Sequence, residues 1–373
     1  MRNFGIVIVS ALIIFISFIS VQACVKPGPE NTREYVMNRL ATAASRGEFY
    51  FGHQDSYFYG KYWVRPKTDN ATPWKSDVRD VCGDFPAVLG CDLGGIEMRD
   101  AANLDGVPFD VMREAIKAHH KMGGIVTLSW HQRNPLTGGT SWDNTRDSVV
   151  RYILPGHPGH IEYLKWLDRI VEYILELKDD DGNPIPLIFR PYHEHTGKWF
   201  WWGVQDSSPA DYRQMWVMTY KYLTSRGLTN LIWAYSPNLG IDRDEYMRNY
   251  PGDKYVDILG YDGYQFGEGS ERDKYLKAIK SDMAMLKELG MKHNKLIAVT
   301  ETGYETIPDR NWWTKTLMDG IKGSGICYVL VWRNAHDKER HYYAPFPGEQ
   351  SSEDFIKFYD LPETLFLNDL KNK

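Results

Sequence analysis

Residues 187–194 read Leu-Ile-Phe-Arg-Pro-Tyr-His-Glu, a largely apolar run that ends in polar and charged side chains. Seven other short runs rich in β-branched and aromatic residues occur along the chain, at residues 49–51, 87–90, 125–130, 231–235, 256–261, 296–300 and 327–332. Stretches with helical spacing of their apolar residues separate them, for example at 110–121, 161–177, 210–225, 272–289 and 311–322. Because the runs are continuously apolar rather than alternating, they predict a parallel sheet covered by helices on both faces.

Eight strands alternating with helices are the number that closes a (β/α)₈ barrel. We therefore predict an α/β fold, a single (β/α)₈ TIM barrel over residues 33–373, with its active site at the C-terminal ends of the strands. An open doubly wound sheet is the alternative. That fold would require a glycine-rich phosphate turn after an early strand, and Gly94-Gly95 does not supply the pattern.

The N-terminal residues 1–23 have the features of a signal peptide, with Arg2 followed by an almost wholly apolar stretch at 4–19. Residues 21–24, Val-Gln-Ala-Cys, resemble the lipobox of bacterial lipoproteins. We predict a tether over 24–32 and an exported bacterial protein, periplasmic or anchored to the outer membrane through a lipid on Cys24. Simple signal cleavage and an uncleaved anchor helix remain alternatives.

Composition narrows the class of protein. Hydrophobic residues make up 43% and charged residues 25%, which excludes a disordered, collagen-like or polytopic membrane chain. The net charge is −5 and no Lys/Arg block occurs, so a nucleic-acid partner is not expected. Aromatic residues reach 14%, an excess that either fills the interior or forms stacking platforms for a flat ligand.

The cysteines do not form a metal-binding pattern. Apart from Cys24, the chain contains Cys82, Cys91 and Cys327, an odd number that leaves at least one free thiol. Apolar surroundings favour buried thiols for Cys91 and Cys327, and a Cys82–Cys91 disulfide is the alternative.

The residues that end the predicted strands are unusually rich in His, Glu, Trp and Arg. In a barrel these ends converge on the face where active sites form. They are His53, Asp92, His131, Glu194, Asn238, Asp262, Tyr264, Glu301, Trp332 and Arg333.

Two segments carry a glutamate beyond a strand, at residues 190–203 after the fourth strand and 298–304 after the seventh. Two carboxyl groups on one barrel face suggest glycoside hydrolysis, in which one is protonated and the other ionised. The rival carboxylates are Asp92, Glu97, Asp262 and Glu305. Of these, Asp262 could orient Arg333 or a sugar hydroxyl.

The motifs HE-x-TG-x-WFWWG at 193–203, TETG at 300–303 and VWRN at 331–334 resemble those of the β-mannanases of glycoside hydrolase family 26, in an exported form like that of Bacteroides. The resemblance extends over most of 33–373 and implies a clan-A barrel and a retaining double displacement. It implies Glu194 as acid/base and Glu301 as nucleophile. The implied substrate contacts are His131, His193, Trp199, Tyr264, Trp332 and, at a more distant glycone position, Arg333. The resemblance also implies that Tyr264 hydrogen-bonds the nucleophile.

The residues themselves fit such roles, because a pyranose stacks on Trp while polar side chains read its hydroxyl groups. We expect Trp199 beside the leaving group and Trp142 near the glycone sugars, whereas Trp201 and Trp202 are expected to pack internally. The predicted ligand is a β-mannan oligosaccharide or polysaccharide. No metal or organic cofactor is needed, and a monomer is expected.

Other functions remain open at this point. The same family contains β-1,3-xylanases and mixed-linkage β-glucanases. A non-catalytic glycan-binding lipoprotein would have no need of the two glutamates. A structural exported barrel would have strand ends without such a set of His, Glu, Trp and Arg side chains. Whether action is endo or releases mannobiose depends on the loops at 132–159 and 334–350.

Overall fold

The computed structural model describes residues 32–66, 73–204, 207–238 and 240–371. The predicted signal peptide, Cys24 and nearly all of the predicted tether lie outside these residues. Among the described residues, no helix is long and apolar enough to cross a membrane.

Eight parallel strands in this part of the chain form a closed ring, and the predicted (β/α)₈ barrel is confirmed. Each strand pairs with the next along the chain, and β8 pairs with β1. Strands β6 and β7 are each interrupted. Their first segments pair with each other and their second segments pair with each other, so the ring stays closed. The strands are β1 Phe49–Gln54, β2 Val88–Asp92, β3 Ile125–Trp130, β4 Leu187–Pro191, β5 Leu231–Tyr235, β6 Ile258–Leu259 with Asp262–Gln265, β7 Leu296–Ile297 with Val299–Tyr304, and β8 Tyr328–Val331.

Helices cover the outside of the ring. They are α1 Arg33–Ser45, α2 Asp77–Cys82, α3 Phe109–Lys121, α4 Val149–Tyr152, α5 His160–Leu175, α6 Pro209–Ser225, α7 Arg243–Arg248, α8 Ser270–His293, α9 Met318–Ile321 and α10 Ser352–Tyr359. The predicted helix at 311–322 forms only in part, as a π-helical turn at Trp313–Leu317 that leads into α9. Helix starts follow the sequence signals: Ser208 accepts a hydrogen bond from the backbone of Asp211, with Pro209 at the first helical position.

Side chains of β4 show how the strands divide the core. Leu187 and Phe189 belong to the large cluster between sheet and helices, whereas Ile188 belongs to a second cluster inside the ring. Successive side chains of a strand point to opposite faces, so Arg190 points into the ring above Ile188. The same alternation brings the guanidinium of Arg190 to the centre of the barrel.

The N-terminal end of the barrel is closed by segments distant in sequence. Leu40 of α1 packs in the inner cluster with Leu367 and Leu370 of a C-terminal 3₁₀ turn. Arg39 joins the two segments by donating to the carbonyl groups of Gly123 and Leu370. A short strand, β9 (Thr364–Leu365), extends the sheet at β1. These contacts cover the N-terminal end of the ring.

In the described part of the chain, Cys82, Cys91 and Cys327 are free thiols. The alternative of a Cys82–Cys91 disulfide is wrong. Cys91 packs between the sheet and the helices and Cys327 lies inside the ring, both as small apolar side chains.

Candidate active site

Glu301 lies inside β7, whereas the sequence predicts it just beyond the strand. The register between β7 and β8 shifts between Val299 and Thr302, which marks an irregularity of the bulge type. Thr300 points inward, where its hydroxyl donates to Asp262 at 2.7 Å, and the next residue, Glu301, lines the central cavity. Thr302 then faces outward and bonds Tyr275 of α8. The shift therefore puts two consecutive side chains on the inner face.

Glu194 is presented by a tight turn that follows β4. Tyr192 and Glu194 both have left-handed backbone conformations, with φ of 52° and 53°, which is rare for residues other than glycine. The backbone N–H of Glu194 donates to the carbonyl of Ser236 at the end of β5, at 2.7 Å. Strain of this kind persists where the surroundings fix it, and here it aims a carboxyl group into the cavity.

The glycines of the 193–203 motif permit the close folding of this loop. A Cβ atom on Gly203 would lie 2.4 Å from the carbonyl oxygen of Gly197, and one on Gly197 would meet the ring of Trp199 at 2.6 Å. Trp201 and Trp202 are fully buried and donate their indole N–H groups to backbone carbonyls, which confirms their packing role. The remaining tryptophan, Trp199, is left at the cavity.

Arg190 connects two acidic side chains at the centre of the barrel. Its guanidinium donates to Asp262 at 2.6 Å and to Oε2 of Glu301. The hydroxyl of Tyr264 donates to Oε1 of the same glutamate at 2.5 Å. Both oxygens of Glu301 are thereby oriented. The sequence motifs assign no role to Arg190, and the local signal for one is a charged residue near the end of an apolar strand.

One expectation for Asp262 is wrong. Its carboxylate pairs with Arg190, whereas Arg333 pairs with Asp105 at 2.6 Å and does not receive its orientation from Asp262. The physical reason is position. Asp262 faces the centre of the ring, and Arg333 lies beyond the end of β8 among loop residues, where it also donates to Tyr59 at 3.3 Å.

The two glutamates occupy different environments. Burial, together with the negative charges of Glu301 and Asp262, raises the pKa of Glu194 to about 8. The indole N–H of Trp199, which donates to Oε2 of Glu194 at 2.6 Å, acts in the opposite direction on this pKa. Glu301 instead lies against the positive charge of Arg190. The site therefore provides one carboxyl group with a raised pKa and a second one, that of Glu301, that accepts hydrogen bonds from two donors.

His131 is fixed by a carboxylate below the cavity floor. Its Nδ1 lies 2.6 Å from Oδ2 of Asp92, which also accepts a hydrogen bond from Ser129. Burial lowers the pKa of His131, but the charge of Asp92 and this hydrogen bond outweigh it, so the pKa is raised overall. On the other side, Nε2 of His131 lies 3.1 Å from Nε2 of His193. Burial, followed by the charges of Arg190 and His131, holds the pKa of His193 well below its usual value.

A cavity of about 520 Å³ contains most of the predicted site residues. It brings together Glu194, Glu301, His131, Trp142, Trp199, Asp262, Tyr264 and Trp332. His193 is buried behind this wall, in contact with Phe200 and Trp202. Sequence reasoning gave no cavity role to four further lining residues, Phe200, Gly263, Phe266 and Tyr343. Only Phe200 had a local signal, its position inside the tryptophan-rich motif.

Arg333 lies in a neighbouring cavity of about 540 Å³, between the loops that follow β1, β2 and β8. Asp105 and His336 line it as well. Trp332, the residue before Arg333, belongs to the central cavity, so the two spaces are adjacent along the chain. Among the described residues, no group of three or more His, Cys, Asp or Glu side chains is arranged to hold a metal ion.

Comparison with known proteins agrees with the motifs. The family model described as Glycosyl hydrolase family 26 matches residues 25–330. A mannan endo-1,4-β-mannosidase of Bifidobacterium adolescentis is 32% identical over 331 residues, which cover 82% of this chain and 32% of that protein. A mannan endo-1,4-β-mannosidase of Bacillus subtilis is 31% identical over 251 residues, covering 64% of this chain and 66% of the relative. The chain thus spans less than two thirds of the length of these curated relatives.

Solved structures resemble the whole barrel. A GH26 β-mannanase from Bacteroides ovatus has a TM-score of 0.86 and 45% sequence identity, covering 91% of this chain and 96% of that one. A modular endo-β-1,4-mannanase from Cellulomonas fimi has a TM-score of 0.78 and 32% identity, covering 91% of this chain and 77% of that one.

Proposed function

Because this chain belongs to glycosyl hydrolase family 26, we propose that it is a retaining glycoside hydrolase that cleaves β-1,4-mannosidic linkages in mannan, galactomannan or glucomannan. The observation that carries the proposal is the pair of glutamates in one cavity, Glu194 with its raised pKa and Glu301 held by Arg190 and Tyr264. The relatives described as mannan endo-1,4-β-mannosidases support the choice of sugar and linkage.

The reaction follows from these two groups in two steps. A carboxylate oxygen of Glu301 attacks the anomeric carbon, the bond to the leaving oxygen breaks, and that oxygen takes the proton of Glu194. The ionised Glu194 then takes a proton from water as the water oxygen attacks the anomeric carbon and the bond to Glu301 breaks. Two inversions leave the β configuration of the sugar unchanged.

The walls of the cavity suit a pyranose. Trp199 is half exposed beside the acid/base, and Trp332 lies 6.0 Å from the ring of His131. Trp142 stacks on His131 with ring centroids 5.5 Å apart, so its position supports the proposed contact with glycone sugars. Arg333 lies in the adjoining cavity, which agrees with a more distant contact to the glycone. His193 would act through His131, because it is buried behind it.

Replacing the nucleophile tests the proposed mechanism. We expect Glu301→Ala to abolish mannan hydrolysis with the fold retained, measured as reducing sugar released and as an unchanged far-UV circular dichroism spectrum. Glu353→Ala is the matched control, because Glu353 is exposed in the first turn of α10 and does not line the cavity. Hydrolysis by Glu301→Ala near the wild-type rate would contradict the assignment.

The stereochemistry of the product tests retention directly. Retaining enzymes hold their two carboxyl groups about 5–5.5 Å apart, whereas inverting enzymes hold them about 6.5–9.5 Å apart to admit a water molecule. Proton NMR during early hydrolysis of mannohexaose should show the β anomer as the first product. First appearance of the α anomer would sink the retaining mechanism.

Substrate choice and mode of action need a product analysis. Parallel assays on mannan, lichenan and β-1,3-xylan separate the proposed activity from those of a mixed-linkage glucanase or a β-1,3-xylanase. Chromatography of the early products from mannohexaose separates endo action, which gives several product lengths, from release of mannobiose at chain ends. Absence of hydrolysis with glycan binding retained would favour a non-catalytic glycan-binding protein.

We propose further that the protein is exported and monomeric, with a lipid on Cys24 as its only link to a membrane. The signal-like residues 1–23 and the Val-Gln-Ala-Cys stretch support this proposal. Expression of the full chain in a Gram-negative host, followed by membrane fractionation, should place the wild type with membranes. We expect Cys24→Ala to lose that attachment, and equal fractionation of the two proteins would contradict lipidation. Size-exclusion chromatography tests the monomer.

A further inference from the structure

Phe266 is the most exposed large apolar side chain in the described part of the chain, with 87% of its surface accessible. It lies one residue beyond β6 and lines the same cavity as Glu194 and Glu301. A ring this exposed contributes little to the stability of the hydrophobic core. Because the ring lies at the mouth of a cavity large enough for a sugar, its exposed face is available for contact with a ligand.

The turn that carries Phe266 is held on both sides. The preceding residue, Gln265, is buried and pairs with Tyr304 of β7. Its amide group donates to the carbonyl of Gly267 at 2.7 Å and accepts a hydrogen bond from the indole of Trp312 at 3.0 Å. The backbone before and after Phe266 is thereby fixed. A ring on a braced turn loses little conformational freedom when it binds a ligand.

Packing does not explain the ring. Among the described aromatic side chains, the ring of Phe266 contacts that of Tyr264. The two rings are tilted, and their centroids are 6.3 Å apart. Tyr264 is itself held by its hydrogen bond to Glu301, so it does not depend on Phe266 for its place. Removing the Phe266 ring should therefore leave the fold and the Tyr264–Glu301 contact in place.

The position of Phe266 around the ring indicates which part of a glycan it meets. The loops after β4, β5 and β6 are neighbours. Thr196 donates to Asn238 at 3.0 Å, and Asn238 forms a backbone bridge with Asp262. The exposed rings of this arc are Trp199 and Phe266. His131 and Trp332, each one residue beyond β3 and β8, contact each other on the remaining arc. Glu194 protonates the leaving oxygen, so the leaving sugars belong to the arc of β4 to β6.

We propose that Phe266 is a preorganised stacking platform for a sugar on the leaving-group side of the cleft, beyond the sugar that Trp199 meets. This inference rests on the proposed function, because it assumes that the cavity cleaves a β-linked oligosaccharide. The apolar face of a pyranose would cover the exposed ring, and cleavage of long chains would gain over cleavage of substrates with a short leaving group.

The test compares two substrates. Mannohexaose carries several leaving-group sugars, and 4-nitrophenyl β-mannobioside carries a single aryl leaving group. We expect Phe266→Ala to lower the ratio of kcat/KM for mannohexaose to kcat/KM for the aryl substrate about tenfold, the loss of one stacked ring. Phe266→Trp should preserve the ratio. Met291→Ala is the matched control, since Met291 is exposed on α8 away from the cavity, and its ratio should equal that of the wild type.

Each outcome decides the proposal. An unchanged ratio for Phe266→Ala in an enzyme that cleaves mannohexaose overturns the platform but leaves the proposed function standing. Equal losses on both substrates also overturn it, because they place the ring on the glycone side or in the fold. A wild type that cleaves another β-glycan overturns the proposed substrate, and the same comparison is then made with oligosaccharides of that glycan. A wild type that cleaves none of them overturns both.

Discussion

At the scale of single residues, the pKa of Glu194, the proposed acid/base, depends on two opposed influences. Burial and the negative charges of Glu301 and Asp262 favour the protonated form of Glu194, whereas the indole N–H of Trp199 favours the charged form. Trp199 also engages one carboxyl oxygen and leaves the other to carry the proton. A single tryptophan thus orients the proposed acid, lowers its pKa and borders the proposed leaving-group side.

Removing that indole N–H should move the pH profile. In Trp199→Phe the hydrogen bond that lowers the pKa of Glu194 is lost, so the pKa rises above about 8. The general acid must be protonated to act, and the alkaline limb of kcat/KM should shift to higher pH while the maximum rate falls. The profile is measured between pH 5 and 11 on an aryl mannobioside. Trp142→Phe, which has no bond to Glu194, should leave the limb in place, and a shift of the Trp199→Phe limb to lower pH would refute the argument.

The raised pKa of Glu194 also makes stability depend on pH. The group ionises near its ordinary value of 4.5 when unfolded but near 8 when folded, so the unfolded state binds fewer protons between these values and the free energy of unfolding falls as pH rises. Glu194→Gln cannot ionise and keeps an acceptor for Trp199. The Tm of Glu194→Gln minus the wild-type Tm should therefore increase from pH 5 to pH 8. A Tm difference that stays constant over this range would contradict the raised pKa.

At the scale of elements, the irregularity in β7 decides the position of Glu301, the proposed nucleophile. Ala298 and Thr300 point inward, and regular alternation would turn Glu301 toward the helices. The register shift between Val299 and Thr302 keeps Glu301 on the inside, opposite Asp262 of β6. Local sequence marked Glu301 as a candidate through its motif, but the direction of its side chain follows from pairing with β6 and β8.

The side chain of Asn334 holds the two ends of the loop after β8 together. Asn334 accepts hydrogen bonds from the backbone of Tyr343 and Ala344, each at 2.9 Å, and donates to Asp77. The ring of Tyr343 then packs against Tyr264, with centroids 5.5 Å apart. The asparagine of the VWRN motif therefore supports, through this loop, the tyrosine that bonds Glu301, the proposed nucleophile.

Opening that loop should slow catalysis. We expect Asn334→Ala to lower kcat on mannohexaose by about tenfold, since Tyr264 loses the packing of Tyr343 and orients Glu301 less well. The same variant should be cleaved faster by protease within residues 335–343. Asn311→Ala, at an exposed position, is the control for both measurements. An unchanged kcat together with faster proteolysis would show that the loop matters for stability alone.

At the scale of the whole molecule, the C-terminal residues complete the barrel. Phe366 stacks on Phe51 of β1 with centroids 5.0 Å apart and packs edge-on against Tyr359 at 4.7 Å. The adjacent Leu367 and Leu370 close the inner core together with α1. The first and last described segments are thus joined through the same end of the barrel.

This closure gives a stability prediction with a built-in control. Phe366→Ala should lower the free energy of unfolding by about 3–5 kcal/mol, the cost typical of deleting a buried aromatic ring. Phe266→Ala removes the same side chain from an exposed position and should cost less than about 0.5 kcal/mol. Urea denaturation followed by tryptophan fluorescence measures both variants. Equal losses would contradict either the closing role of Phe366 or the exposure of Phe266.

The sequence by itself determined the eight strands, the helices between them and the two glutamates, because hydrophobic periodicity and strand-end chemistry are local properties of the chain. The tertiary structure alone decided which polar groups meet. Arg190 pairs with Asp262 and Glu301, Arg333 pairs with Asp105, and Phe266 and Tyr343 join the cavity wall. These contacts join residues on different strands and loops. Closure of the ring fixes the distances between them, and those distances cannot be read from the spacing of residues along one strand.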